Sequence, residues 1–156
     1  MAELTGTLSP GDIDTIYNRT AVQLGTRIKD TDGNEYIFMN GVASTIKGSW
    51  VTFDEDYKTT LLVANAIGPV AVAMAAIVAN KYGWYQIFGS ALACISANSA
   101  DNTVIGFETT SGYAGDGMAA GDIIYNCIQR VAVTTAVVQG AVEIWYPFVD
   151  DATASH

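Results

Sequence analysis

The chain has 156 residues, of which half are hydrophobic and only 15% charged, and its formal net charge is −9. A chain of this length suits one domain whose core is large enough to fold without a disulfide or a metal. The negative charge, with no basic run to offset it, repels phosphate backbones and argues against nucleic-acid binding.

Residues 1–20 form a predicted N-terminal arm that contains a short helix. Ser9 can cap this helix, and Pro10 suits its first position. The apolar face of the helix would consist of Ile13, Ile16 and Tyr17. So short a helix is unstable alone in water, so we expect the arm to dock on a partner. The arm has no basic region followed by an apolar stretch, and we do not expect a signal peptide.

After the arm, the pattern changes to short strands. Two runs within 25–41 flank Asp32-Gly33 and predict a hairpin, because that turn requires positive φ. Further strands are predicted within 49–56 and 58–66, followed by a break at Gly68-Pro69.

The alanine-rich segment 70–80 fits two structures. Alanine favours a helix, whereas the alternation of Val70, Val72 and Met74 with alanine is typical of a strand. The neighbouring strands and short linkers favour the strand. A membrane span over 61–80 is disfavoured, because polar residues, glycine and proline interrupt the run and no cluster of basic residues marks one side of it.

The remainder also predicts strands separated by turn residues. In chain order these are a hairpin of 83–89 and 91–96 around Gly89-Ser90, a strand at 102–109, a glycine-rich surface loop at 110–122, and two strands within 123–149 that meet near 138–140. Many short strands predict an all-β fold, an antiparallel β-sandwich or a barrel-like sheet, with a jelly roll among the options. We expect one β domain over 21–150 and a flexible tail at 151–156.

Residue types used in catalysis and metal binding are scarce. His156, the last residue, is the only histidine, so a catalytic triad lacks a base. Cys94 and Cys127 lie far apart in apolar stretches, and we expect buried free thiols, with a disulfide between them as the alternative. The run 30–35 fits a hairpin turn better than a calcium loop, whose glycine comes later. Two acids could still converge as in a glycosidase, but nothing singles out a pair. We expect no enzymatic activity, no cofactor and no metal.

The span from Thr59 to Ala100 is almost free of charge, with Lys81 as its only Asp, Glu, Lys or Arg. Antiparallel strands of a monomer usually alternate between core and water, so strands polar on neither face predict a second apolar neighbour, as in a homo-oligomer. The alternative is a neutral surface of Ala, Ser, Thr and Asn that needs no partner. The candidate residues for a trimer core or interface are Val72, Met74, Tyr82, Trp84, Gln86 and Phe88.

The segment "KYGWYQIFG" (81–89) resembles the Tyr-Gly-Trp-x-Gln-x-x-Gly segment of head decoration (cement) proteins of tailed bacteriophages. The matching residues are Tyr82, Gly83, Trp84, Gln86 and Gly89. The preceding alanine-rich strand, an upstream "DGNEYIFMNG" and a closing "AVEIWYP" extend the resemblance over residues 23–149. The resemblance implies a β-rich homotrimer on the outside of an icosahedral capsid, where it bridges capsomers without a cofactor.

On this basis we expect a structural virion protein that is synthesised in the host cytoplasm and located on the outer capsid surface. Its expected partners are itself and the major capsid protein, with no nucleic acid and no membrane. Ile13, Ile16 and Tyr17 are the candidate capsid contacts, on an arm that orders on binding.

A second hypothesis is a trimeric head fibre or receptor-binding module that recognises a host surface molecule. An exposed aromatic or acidic groove would favour it, and the glycine-rich loop 110–122 could line one. A third hypothesis, a hydrolase, lacks a base.

Overall fold

The structure, a computed structural model, describes residues 3–4 and 13–151. Nine strands form one continuous sheet, and the described residues contain no helix. The all-β fold class predicted from the sequence is confirmed. The strands are β1 (Glu3–Leu4), β2 (Arg27–Lys29), β3 (Glu35–Asn40), β4 (Trp50–Phe53), β5 (Thr59–Leu61), β6 (Ile67–Ala73), β7 (Tyr82–Ile95), β8 (Tyr125–Gln129) and β9 (Val137–Asp150).

In the sheet, hydrogen-bonded neighbours follow the order β1-β2-β3-β7-β9-β6-β4-β5. The remaining strand, β8, pairs with β9 in addition to this order. The pairing of β1 with β2 is parallel and the others are antiparallel. β6 contacts both β7 and β9, which also pair with each other. The sheet therefore folds back on itself, as expected for a barrel-like or sandwich fold.

Three apolar clusters lie against this sheet. The main cluster joins β4, β6, β8, β9 and the second half of β7, and includes Trp50, Val72, Ile95 and Ile144. The second cluster includes Met39, Val51, Ala71 and Tyr85. The aromatic cluster consists of Ile28, Tyr36, Phe38 and Trp84. Because Trp50 and Val51 are adjacent but enter different clusters, β4 is buried on both faces within one chain.

Two local predictions are confirmed. Asp32-Gly33 forms the turn between β2 and β3, where Gly33 has a φ of +86°. The Asp30 carboxylate accepts hydrogen bonds from the backbone amides of Asp32 and Asn34, each at 2.9 Å, and so fixes the turn. Cys94 and Cys127 are both free and buried.

The predicted break at Gly68-Pro69 is wrong, because both residues lie inside β6. Residues 67–69 pair with β9, and residues 70–72 pair with β4. Pro69 therefore occupies the position where the strand changes partner, so its missing amide hydrogen is tolerated. The strand prediction for 70–80 holds only as far as Ala73, after which the chain forms a loop.

The predicted hairpin around Gly89-Ser90 is also wrong, since β7 is one continuous strand through both residues. Gly89 has a φ of +107°, and it bends the strand without reversing it. β7 pairs with β3 as far as Phe88 and with β9 from Phe88 onwards, so the exchange of partners occurs at the bend.

Three further predictions need correction. Segment 102–109 makes only isolated bridges at Thr103 and Gly106 and forms no strand. The last two strands are joined by residues 130–136, so 138–140 lies inside β9. Residues 13–20 contain a turn and a bridge between Tyr17 and Tyr82 in place of the predicted helix, because the backbone of Tyr17 pairs with the start of β7. The proposed helix start at Ser9 and Pro10 lies outside the described residues.

Candidate functional site

The segment "YGWYQIF" forms the first half of β7 and is covered on both faces by its own chain. Trp84 belongs to the aromatic cluster, with its ring 5.1 Å from that of Phe38 in an edge-to-face arrangement. Tyr85 points the other way into the second cluster and is fully buried. Burial in this cluster raises the pKa of Tyr85. The rings on both faces of this strand therefore reflect two intramolecular clusters.

Gln86 and Gly89 build the bend in the middle of β7. The side-chain amide of Gln86 donates hydrogen bonds to the carbonyl oxygens of Phe88 at 3.1 Å and Ser90 at 2.9 Å, one on each side of the bend. A Cβ atom on Gly89 would lie 1.9 Å from Oδ1 of Asn34 in the β2–β3 turn. These residues, which carry the resemblance to decoration proteins, thus determine the path of the backbone.

The proposed interface residues fall into two groups. Val72, Trp84 and Gln86 are each at most 2% exposed within a single chain. Their burial is complete without a partner, so the interpretation of these three as contacts with a neighbouring subunit is corrected. Met74, Tyr82 and Phe88 are half-buried.

The proposed capsid contacts lie next to the aromatic cluster. Ile13 and Tyr17 are half-buried against it, and Tyr17 exchanges two backbone hydrogen bonds with Tyr82, at 2.8 and 2.9 Å. Ile16 is 44% exposed. The structure therefore brings Ile13 and Tyr17 together on the domain itself, and of the three Ile16 has the most exposed side chain.

Exposed apolar side chains concentrate on the outer surface of β7 and β9. Residues that pair across these strands share a face, so Phe88, Ser90 and Leu92 lie beside Trp145, Glu143 and Ala141, respectively. On the opposite face of β9, Val142 and Ile144 pack into the main cluster. Sequence reasoning missed this surface, apart from Phe88.

One part of this surface is a groove that we call the end groove. It has a volume of about 450 Å³ and lies between β7, the β8–β9 connection and the start of β9. Its principal side chains are Leu92, Val131, Val137 and Gln139, and none of its ten lining residues is charged. Leu92 is 52% exposed. The end groove is therefore a concave apolar surface open to solvent.

A second groove, which we call the aromatic groove, follows along β9. It has a volume of about 550 Å³ and lies between the β2–β3 turn, the Gly89 bend and β9. The side chains that give it its chemical character are Phe88, Trp145, Asp32, Asn34, Ser90 and Glu143. Glu143 pairs with Arg130 at 3.1 Å. The groove thus combines two aromatic rings with two carboxylates, an amide and a hydroxyl.

A bulge at Tyr146 sets the outward direction of the rings beside this groove. Tyr146 has a φ of +56°, and it and Trp145 are both exposed, whereas the residues on either side, Ile144 and Pro147, are buried. The Tyr146 hydroxyl donates a hydrogen bond to the buried carboxylate of Glu35, which raises the pKa of the tyrosine. Its ring lies 5.2 Å from that of Phe88. The run "IWYPF" contained a signal for this bulge, because a proline within a strand marks an edge or an irregularity.

The glycine-rich loop 110–122 does not line either groove. It is tied to the domain, since Gly115 bridges to Gly106 and the amide of Gly117 donates to Glu108 at 2.5 Å. The prediction that this loop could line a binding groove is therefore not met by the two grooves seen here.

The described residues contain no group of three or more His, Cys, Asp or Glu side chains that could hold a metal ion. Burial raises the pKa of the Cys94 thiol to about 11 and also raises that of Cys127. Both thiols therefore stay protonated near neutral pH. In the part of the chain that the structure describes, no helix is long and apolar enough to cross a membrane.

Comparison with known proteins gives no match to the chain among protein-family models, curated proteins or solved structures.

Proposed function

We propose that this chain is a structural virion protein that decorates the outer surface of a tailed-phage head as a homotrimer and stabilises contacts between capsomers. The observation that carries the assembly part of the proposal is the end groove, an exposed apolar concavity without a charged residue. The decoration part is supported by the resemblance at Tyr82, Gly83, Trp84, Gln86 and Gly89.

A second copy of the chain is the occupant that the end groove suits best. Each copy carries a net charge of −9, so two copies repel each other unless they meet on surfaces free of acidic residues. The end groove is such a surface, and Leu92, Val131 and Val137 supply apolar area that is buried on association. In a closed ring of three, this groove would contact a different surface of the next copy.

The capsid contact is proposed for a separate surface near the N-terminus. Ile16 is exposed next to Tyr17, which pairs with Tyr82 at the start of β7, whereas the end groove lies at Leu92 in the second half of that strand. The acidic charge of the chain suits the exterior of a capsid, away from the packaged DNA. Repeated copies on one particle would bind with high avidity even if each contact were weak.

The assembly part is tested by native mass spectrometry with two matched substitutions. Val137 lies in the end groove and Val78 lies in the loop before β7, and both are 38% exposed. The wild-type protein should have three times the mass of the 16.5 kDa chain. Val137→Asp should weaken association at least tenfold, because a carboxylate would be desolvated in the interface, and Val78→Asp should leave the trimer intact.

The decoration part is tested by co-sedimentation with undecorated heads of the phage that encodes the chain. The trimer should bind at high copy number, and the Val137→Asp variant should bind far more weakly because avidity is lost. A wild-type monomer would contradict the assembly part. A stable trimer that remains in the supernatant would contradict the decoration part alone.

A further inference from the structure

The aromatic groove has the chemical composition of a carbohydrate site. Trp145 is 39% exposed and shares the groove with Phe88. A pyranose ring has an apolar C–H face that packs on an aromatic ring, whose face is electron-rich. Asp32, Glu143 and Asn34 supply acceptors and a donor for the sugar hydroxyls around that face. We propose that the aromatic groove binds a neutral carbohydrate.

The charges around the groove favour a neutral sugar over an acidic one. Two of its nine lining residues are carboxylates, and none is a lysine or an arginine. A sialylated or sulfated glycan would therefore meet like charge in the groove as well as a chain of net charge −9. A small cation is also disfavoured, because Arg130 already offsets the charge of Glu143 at 3.1 Å.

The β2–β3 turn holds one wall of the groove in place. The Asp30 carboxylate accepts hydrogen bonds from the backbone amide and the side-chain amide of Asn34, at 2.9 and 3.0 Å, and from the Tyr36 hydroxyl at 3.0 Å. Asn34 in turn packs against the backbone of Gly89, where a Cβ atom would not fit. The polar side of the groove is thus ordered before any ligand binds, which lowers the entropic cost of binding.

The bulge at Tyr146 holds the aromatic wall. The left-handed conformation of Tyr146 is unfavourable for a residue with a side chain, and it is maintained by the hydrogen bond to Glu35 and the contact with Phe88. The bulge shifts the alternation of β9 by one residue, so two consecutive rings, Trp145 and Tyr146, face solvent. Backbone strain of this kind concentrates at binding sites, and here it borders the groove.

The volume and the position of the groove are consistent with a glycan that extends into solvent. Its volume of about 550 Å³ lies within the usual range of ligand sites. All of its residues belong to one chain, so the proposal does not depend on trimer formation or capsid binding. Recognition of a surface glycan would give the particle contact with a host cell or its surroundings.

The test is a glycan array printed with neutral, sialylated and sulfated oligosaccharides, with phosphocholine as an additional probe. Four proteins are compared: the wild type, Trp145→Ala, Asp32→Asn and Phe148→Ala. Phe148 is a matched control, since it is also 39% exposed and lies on β9 outside the groove. Binding of the best neutral glycan is then measured by titration calorimetry.

The wild type and Phe148→Ala should bind neutral glycans, and Trp145→Ala should lose about tenfold or more in affinity. Asp32→Asn, a change on an exposed turn, should weaken binding without affecting the fold. Native mass spectrometry of Trp145→Ala should show an unchanged oligomer, which separates this test from that of assembly. The proposal is overturned if no neutral glycan binds, if Trp145→Ala binds as well as the wild type, or if only acidic glycans or phosphocholine bind.

Discussion

β7 and β9 are the two longest strands, each with 14 residues, but their surroundings differ. The first half of β7 lies between the second cluster and the aromatic cluster, so Trp84 and Tyr85 are buried on opposite faces. β9 packs only one face into the main cluster, and Trp145 and Phe148 on the other remain exposed. A scarcity of charged residues therefore does not by itself locate an interface between subunits, because a single folded chain can bury both faces of a strand.

The difference between β7 and β9 should have its largest effect on stability when Trp84 and Trp145 are each replaced. Trp84→Ala should lower the free energy of unfolding by about 3–5 kcal/mol, because it empties a fully packed site. Trp145→Ala should cost only about 1 kcal/mol, since that ring is partly solvated. Urea unfolding at one fixed protein concentration measures both values. Similar losses of unfolding free energy in the two variants would contradict the burial of Trp84 on β7 and the exposure of Trp145 on β9.

A smaller effect is expected at the bend of β7. Gly89→Ala should cost about 1–4 kcal/mol, because the new methyl group would overlap Asn34 and the residue keeps a φ of +107°. Gly33→Ala is the matched control, since Gly33 also has positive φ but no atom within 4 Å of an added Cβ. The difference between the two variants in urea unfolding isolates the contact between the bend and the turn. Equal losses would mean that Asn34 and Gly89 are not in close contact.

The smallest effect concerns Asp30, which orders the turn beside the aromatic groove. Partial burial would raise the pKa of Asp30, but hydrogen bonds from Asn34, Tyr36 and Asp32 outweigh it and lower the pKa below 3.8. The ionised group therefore stabilises the native state above pH 3.8, and this contribution disappears as the pH falls through the lowered pKa.

Asp30→Asn should accordingly reduce the melting temperature at pH 7, and its difference from the wild type should shrink towards pH 2. The control is Glu55→Gln, which changes an exposed carboxylate in the β4–β5 turn. A difference for Asp30→Asn that stays constant between pH 7 and pH 2 would contradict this role of the carboxylate.

The sequence predicted the local features that depend on a few neighbouring residues. The Asp32-Gly33 hairpin was predictable because positive φ favours glycine, and the buried thiols were predictable from their apolar surroundings. The burial of Trp84 on a strand with two apolar faces was also predictable. The residues that cover the two faces of that strand were not predictable, because Phe38 and Tyr85 reach their clusters through pairing of strands that are distant in sequence.

The two grooves also could not be predicted from the sequence, because they too form from segments that are distant along the chain. Glycine and proline predict a hairpin at Gly89 and a break at Gly68-Pro69, but each lies where a strand changes partner. The aromatic groove unites residues near 33, 89 and 144, and only the continuous path of β7 brings them together. Pro147 indicated an irregularity in the strand, but the position of the bulge is defined only by the register between β8 and β9.

The most direct test of the difference between β7 and β9 is hydroxyl-radical footprinting of the wild type and Val137→Asp at one protein concentration. This method reports the solvent exposure of individual side chains. Trp84 and Tyr85 should be equally protected in both proteins, because their own chain covers them. Leu92 and Val131 should be protected in the wild type and oxidised in the variant, because both line the end groove, which a second copy covers only in the trimer. Oxidation of Trp84 on dissociation, or equal oxidation of Leu92 in both proteins, would contradict the account.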